Sequence, residues 1–356
     1  MVVFKEVIKR IRSRWMEGTG AQSDIVISSR VRLARNIQDI PFPHLINKED
    51  AVKVIQKVEE AVKAIGEKDF TSLAVTSLSE LDALQKQILV EKHLISPLLL
   101  EKDPKAAVAL TDEEEISVMI NEEDHLRIQC ILPALQLLEA WQIANQLDDH
   151  LEKQLDFGFD DKFGYVTACP TNAGTGMRAS VMLHLPGLIM TKRAGRILPE
   201  LSKVGLVVRG LYGEGTEALG NLFQISNQIT IGRSEEEIIN NLASVTQKIV
   251  DQEREAREVL KKELGIHLED KLWRAYGTLR YARLIKTETA LSLLSQVRLG
   301  VDMEIIKGLD PRVMTELMVM IQPGCLQYIM GQEMDAGMRD VYRARLLRER
   351  LKIDNT

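Results

Sequence analysis

Residues 115–132 read EISVMINEEDHLRIQCIL. Ile116, Val118 and Ile120 share one parity on the near side of a polar centre, and Leu126, Ile128 and Cys130 share one on the far side. Successive side chains of a strand point to opposite faces, so the spacing predicts two strands joined by a tight connection through NEED. Glu122 and Glu123 then fall at the turn. The pattern recurs downstream: GLVVRG ends a strand at Arg209, GLYGEGTEALG is a loop carrying Glu214, and LFQISNQITIG returns as a strand. Gly210, Gly213 and Gly215 give that loop the freedom to close over a ligand. From about Asp24 to Ser234, strand-like runs alternate with helical patterns, without the regular beat of a doubly wound parallel sheet. The expected class is α+β, an antiparallel sheet flanked by helices.

Helices frame these strands. Residues 48–65 follow a helix start at Asn47, and residues 128–156 finish a strand before an acidic, leucine-rich helix. After Ser234 a long helix is predicted, with a Ser N-cap, acids in its first turn and glycine at its end. Every later segment reads as helix. The division expected is therefore residues 1–265 as a catalytic domain and 266–356 as an all-helical domain. Seven of the 13 methionines follow residue 300, among them Met314, Met318, Met320 and Met330. They suit either a helical core or a dimer interface.

The chain has 356 residues, 45% of them hydrophobic and 28% charged, an ordinary globular composition. A formal charge of -6 argues against direct nucleic-acid binding, which needs a clustered basic surface. Cys130, Cys169 and Cys325 are too scattered for a disulfide framework or a metal-ligand run, so a cytoplasmic location is expected. The basic, amphipathic N-terminus lacks the apolar stretch of a signal peptide, and Val3, Val7 and Ile11 suit a helix docked on its own domain. No run approaches the ~18 apolar residues of a membrane span.

Arg30 and Arg32 lie in SSRVR, Arg127 closes NEEDHLR, Arg178 follows CPTNAGTGM and Arg209 opens RGLYGE. Any one of them could be a surface ion pair. As a set beside Glu122, Glu123 and Glu214, they describe a polyphosphate held facing a cation. A guanidinium has a pKa near ~13.8, so its neutral, nucleophilic form lies roughly 9 kcal/mol uphill at pH 7. Carboxylates cannot lower that by withdrawing the proton beforehand, because a nearby anion favours the cation. They can align the planar group, and alignment can supply roughly 7–11 kcal/mol. Fixed arginines stabilise the charge that develops on a transferring phosphoryl group. A lone Cys169 reads first as a small buried residue. Among several arginines its thiol pKa should fall, and a thiolate would polarise the substrate nitrogen without forming a covalent intermediate. Gly174, Gly176 and Ala179 spell a dinucleotide fingerprint, but no βαβ unit surrounds them and there is no Walker loop. No acidic cluster suggests a metal cage, which suits ATP arriving with Mg²⁺ ligated by phosphates and water.

SSRVRLARNI, NEEDHLR, CPTNAGTGMRAS, RGLYGE and ISNQITIGRSE together resemble the phosphagen (guanidino) kinase family, in that order and with its spacings. The resemblance implies a phosphagen-kinase-like catalytic domain, with Glu123 and Glu214 gripping the guanidinium, Glu122 as understudy and Cys169 beside it. It implies ATP held by Ser28, Ser29, Arg30, Val31 and Arg32, by His93 and Arg127, by Arg178, Ala179, Ser180, Val181 and Met182, and by Arg209, Gly210, Leu211, Tyr212 and Gly213. For His93 a purely structural histidine is the alternative.

The small-molecule members carry a helical domain ahead of SxRVR, whereas here Ser28 stands near the start and a helical extension follows the catalytic motifs. That arrangement resembles the bacterial protein-arginine kinases, which implies protein substrates presenting arginine, marked for the Clp protease system. An activating adaptor and a homodimer are implied too. Arg339, Asp340, Arg343 and Ala344 match the RDxxRA motif of that branch, an allosteric phosphoarginine pocket. By spacing alone the same residues would be a solvated helix face.

Overall fold

The structure, a computed structural model, describes residues 11–65, 70, 73–102, 104–210 and 218–353. The expectations for the N-terminal ten residues, and for Leu211, Tyr212, Gly213 and Glu214, lie outside the described residues.

The strands are β1 (Val26–Arg35), β2 (Ala74–Ser77), β3 (Ala107–Leu110), β4 (Ile116–Ile120), β5 (Leu126–Pro133), β6 (Phe159–Asp160), β7 (Gly164–Tyr165), β8 (Met177–His184), β9 (Leu206–Gly210) and β10 (Leu222–Asn227). Eight of them form one sheet in the order β2-β3-β4-β5-β1-β8-β10-β9, and β6 pairs only with β7. Every pairing is antiparallel. The hairpin read from residues 115–132 is β4–β5, with Ile120 opposite Leu126. The turn between them opens on Asn121 at φ 62, a left-handed conformation that asparagine tolerates. Its amide donates to the carbonyls of Ala51 and Lys105. One strand reading is corrected: in YVTAC only Tyr165 belongs to a strand, and Cys169 precedes a 3-10 turn at Pro170–Asn172.

The main helices are α1 (Lys48–Ala64), α2 (Ala83–Glu91), α3 (Leu137–Glu152), α4 (Glu235–Leu264), α5 (Ile266–Tyr281), α6 (Thr287–Asp302), α7 (Pro311–Met320), α8 (Pro323–Met330) and α9 (Ala336–Arg350). Asn47 caps α1 by accepting from Asp50 N at 2.8 Å. Ser234 and Glu237 form a reciprocal capping box on α4. The helix α4 stops at Gly265, whose φ is 46.

The two faces of the sheet have different fates. Val31 and Leu33 of β1, Ile128 and Cys130 of β5, and Ala179 and Val181 of β8 pack with α1, α3 and α4 in one apolar cluster. Each buried Val, Leu or Ile there contributes about 1.5–3 kcal/mol. On the opposite face Val108, Leu110, Met119 and Ile131 join a second cluster with Trp15, Leu272, Leu294, Leu317 and Leu347. The helices after Gly265 therefore share a core with the sheet. Met314, Met318 and Met320 are buried within that core, and Met330 packs against it. The methionines of the C-terminal region thus serve chiefly as internal packing.

Candidate active site

Strand parity gathers the arginines. Arg32 lies directly opposite Arg178, and Arg30 opposite Ser180, across β1 and β8. Gln224 of β10 faces Met182 on one side and Arg209 of β9 on the other. Arg127 of β5 lies opposite Ala34, which shares parity with Arg30 and Arg32. Directly opposed residues share a face, so all five guanidinium groups leave the sheet on the side away from the α1, α3 and α4 core.

Alternation also turns the side chains of four neighbours away from the arginines. Val31, Ala179 and Val181 are in the core, and the buried Ser29 hydroxyl donates to Ala134 O and accepts from Gln136 N. These side chains point away from the arginines, so any contact with a nucleotide would be through their backbone. Ser28, Ser180 and Met182 lie on the arginine side, lining one cavity with Arg30, His93 and Gln224.

The arginines are short of counter-charge. Among the described residues, only Arg127 of the five is paired with a carboxylate. Arg30 donates to Ser180 Oγ at 3.4 Å and Gln224 Oε1 at 2.8 Å, both neutral. Arg178 reaches Ser226 Oγ at 3.3 Å. The Nε atoms of Arg32 and Arg178 are buried without a hydrogen-bond partner. Burial, then repulsion from Arg127 and Arg178, lowers the Arg30 pKa to about 9. Burial followed by Arg127, Arg30 and Arg178 takes Arg32 well below its ordinary value. Arg178 falls too, through burial and then Arg209 and Arg127. Crowded, partly desolvated cations of this kind are stabilised by an anion with many oxygens. A cavity of about 370 Å³ is lined by Arg30, Arg32, Arg127, His93, Gln129 and Gln322 among others. A smaller one of about 130 Å³ lies at Arg178, Arg209, Thr171 and Asn227.

The acids of the β4–β5 turn have separate tasks. Glu122 is buried, with Arg127 Nη1 2.5 and 2.7 Å from its two oxygens and the Ser96 hydroxyl donating to it. Burial alone would raise its carboxyl pKa, but Arg127, Ser96 and the Glu123 amide hold it below the ordinary value. Glu122 thus faces Arg127, not open solvent. Glu123 is exposed, and its carboxyl is raised by partial loss of solvent, then by Asp124 and Glu122.

The loop bearing Cys169 is fastened to this turn. Buried Asp124 accepts from Asn36 Nδ2 and from Ala168 N, both at 2.7 Å. His125 accepts from Ile37 N at 3.0 Å through Nδ1, so its Nε2 carries the proton donated to Pro41 O at 2.9 Å. Cys169 is half-buried, its Sγ 3.0 Å from Thr171 Oγ1. In the same loop, Gly176 (φ 65) packs on β1 so closely that a Cβ would lie 2.6 Å from Arg35 Nη1 and 2.7 Å from Ala34 O. Gly174 (φ 101) also approaches the Thr230–Ile231 backbone closely, so the glycines that imitate a dinucleotide fingerprint serve local packing. Sequence reasoning missed Asn36, Asp124 and His125. The only available signal was their position as polar residues inside the quoted motifs.

His93 adopts φ 61, and its ring lies 5.7 Å from that of Trp15. Burial, then Arg30, lowers its pKa to about 4, leaving a neutral imidazole beside the arginines. In the tail, Arg343 is buried and donates to Ile321 O, Ile285 O and Asp340 Oδ1, the last at 2.5 Å. Ala344 is in the core, and half-buried Arg339 donates to Met334 O at 3.0 Å. The solvated helix face expected from spacing alone is therefore not what forms.

An antiparallel sheet presenting crowded arginines beside a free carboxylate defines a phosphotransferase acting on a guanidino group. Residues 53–256 match the family described as ATP:guanido phosphotransferase, C-terminal catalytic domain, and residues 265–356 match the protein-arginine kinase McsB C-terminal domain. The protein-arginine kinase of Moorella thermoacetica is 56% identical over 345 residues, 95% of this chain and 97% of that protein. That of Pelotomaculum thermopropionicum is 53% identical, covering 98% of each. The chain belongs to the protein-arginine kinase family. The fold is shared with lombricine kinase (TM-score 0.56, 24% identity, 67% of this chain and 68% of that one). It is shared too with a taurocyamine kinase from Schistosoma mansoni bearing transition-state analogue components (TM-score 0.59, 23% identity, 73% and 39%).

Proposed function

We propose that this kinase transfers the γ-phosphoryl group of ATP to arginine side chains in proteins, with the sheet arginines holding the triphosphate and Glu123 aligning the guanidinium. The observation that carries the reading is the pair of buried, unpartnered Nε atoms on Arg32 and Arg178, with the exposed Glu123 near enough for its charge to act on Arg178. Arg30, Arg32, Arg127, Arg178 and Arg209 stabilise charge on the transferring group and on ADP, each such donor being worth on the order of 10²–10³ in rate. Glu122 fixes Arg127. Glu123, its proton affinity raised by partial loss of solvent and then by its acidic neighbours, aligns the substrate and accepts the proton as the N–P bond forms and ADP leaves. Glu214 is proposed as the second grip. Cys169 polarises the substrate nitrogen, and His93, uncharged, suits the nucleoside better than the phosphates.

Mg²⁺ would enter with ATP. No cluster of three His, Cys, Asp or Glu suited to a metal occurs among the described residues, so phosphates and water would supply most ligands. From the family resemblance we further propose that phosphorylated proteins are directed to the Clp protease system, that stress regulators are among them, and that the enzyme acts in the cytoplasm as a homodimer with an adaptor. No helix among the described residues is long and apolar enough to cross a membrane. A sensing role for the tail must begin from Arg343 as it stands, with phosphoarginine meeting Arg339 and competing with Asp340 for Arg343. Mg-ATP with an unfolded, arginine-rich protein should yield acid-labile phosphate on arginine by mass spectrometry. Phosphate on free arginine alone would overturn the assignment of protein substrates.

A further inference from the structure

Gln322 sits at the turn between α7 and α8, in the helical half, yet it lines the cavity of about 370 Å³ that also holds Arg30, Arg32, Arg127 and His93. It is only 8% exposed, and its Nε2 donates to Met318 O at 3.0 Å. The turn is held from two sides. Glu91, the last residue of α2, accepts from Gly324 N at 2.8 Å and Cys325 N at 2.7 Å, capping α8. A Cβ on Gly324 would lie 2.9 Å from Gln87 Cγ and 3.0 Å from Glu91 Oε2, so the close approach of α8 to α2 depends on glycine. The chain runs from Glu91 through Lys92, whose buried ammonium pairs with Glu114, to His93 in the cavity. Arg343 Nε holds the adjoining Ile321 O at 2.8 Å.

We propose that Gln322 contacts the bound nucleotide, making the helical half one wall of the nucleotide site, and that Glu91 and Gly324 are positioning residues for it. With one N–H occupied by Met318, the amide retains a donor for a phosphate or ribose oxygen and an acceptor for a ribose hydroxyl or a magnesium-bound water. The inference rests on the assignment of this arginine-lined cavity to ATP.

The test uses the full-length enzyme, with steady-state kinetics in ATP and direct ADP binding. Gln322→Ala should raise KM for ATP about three- to tenfold, the worth of one hydrogen bond, with kcat and the KM for protein substrate little changed. Gln322→Glu keeps the shape but sets a carboxylate before the polyphosphate, and should weaken ADP binding more than Gln322→Ala. Gly324→Ala should raise KM for ATP without altering any group in the cavity. Thermal midpoints identify a variant that fails to fold, in which case the near-isosteric Gln322→Glu decides. If both Gln322 variants bind ADP as the wild type does while Arg32→Ala does not, the inference falls and the arginine site stands. If Arg32→Ala also binds normally, the cavity is not the nucleotide site and both readings fall.

Discussion

Arg127 Nη1 lies 2.5 and 2.7 Å from the two oxygens of buried Glu122, so the acid beside the exposed Glu123 is committed to holding an arginine. Two adjacent carboxylates in one turn thereby acquire different chemistry. One is kept ionised by its cation, and the other has its proton affinity raised. Glu122→Ala should destabilise the protein by about 1–3 kcal/mol, as expected for a charged hydrogen bond with one partner removed. It should also raise KM for ATP through a misplaced Arg127. Since the folded pKa of Glu122 is depressed, its contribution is present above the unfolded carboxylate value and lost as pH falls through the folded one. Urea midpoints at two pH values, for wild type and variant, check both points.

Arg32 has the opposite stability sign. Its buried Nε has no partner and its neighbours repel it. Arg32→Ala should lower kcat/KM for ATP on the order of 10²–10³, yet leave the free protein at least as heat-stable as wild type. Saturating ADP should raise the thermal midpoint of the wild type and not that of the variant. A variant much less stable than wild type would show that Arg32 is structural.

The hairpin, the helix caps at Asn47 and Ser234 and the break at Gly265 were legible because each depends on local periodicity or a single side chain meeting nearby backbone. Strand parity likewise carries the burial of the Val31, Ala179 and Val181 side chains. The division of labour between Glu122 and Glu123 was not legible. It depends on Ser96 arriving from outside the hairpin and on which of two adjacent acids Arg127 turns to. The wall formed by Gln322 was hidden for the same reason, since nothing local to Ile321–Pro323 points to a cavity built from β1 and β5. Cys169 looked like the end of a strand because YVTAC has strand composition, but the tertiary bonds of Ala168 and Thr171 set the loop instead.

His93 gives a pH prediction with a definite sign. Its folded pKa of about 4 lies below the ordinary ~6.5, so the unfolded chain binds a proton that the folded one excludes. The stability this brings is fully present above about 6.5 and lost as pH falls toward 4. His93→Asn, an exchange the positive φ accommodates, should flatten the dependence of the urea midpoint across that window. An unchanged slope would contradict a buried, neutral imidazole.

Cys169 should act as support. Cys169→Ala is expected to lower kcat by roughly one to two orders of magnitude, the scale of a polarising or proton-handling group, with KM for ATP little changed. Intact-mass measurement during turnover should show no phosphate on the thiol of the wild type.

The central claim is that cations on the sheet hold the triphosphate while a carboxylate of the β4–β5 turn aligns the guanidinium. Its most direct test is Glu123→Gln, measured for both ADP affinity and phosphorylation of arginine in an unfolded protein. The account predicts unchanged ADP affinity with phosphotransfer reduced at least about a hundredfold; phosphotransfer at the wild-type rate would contradict it.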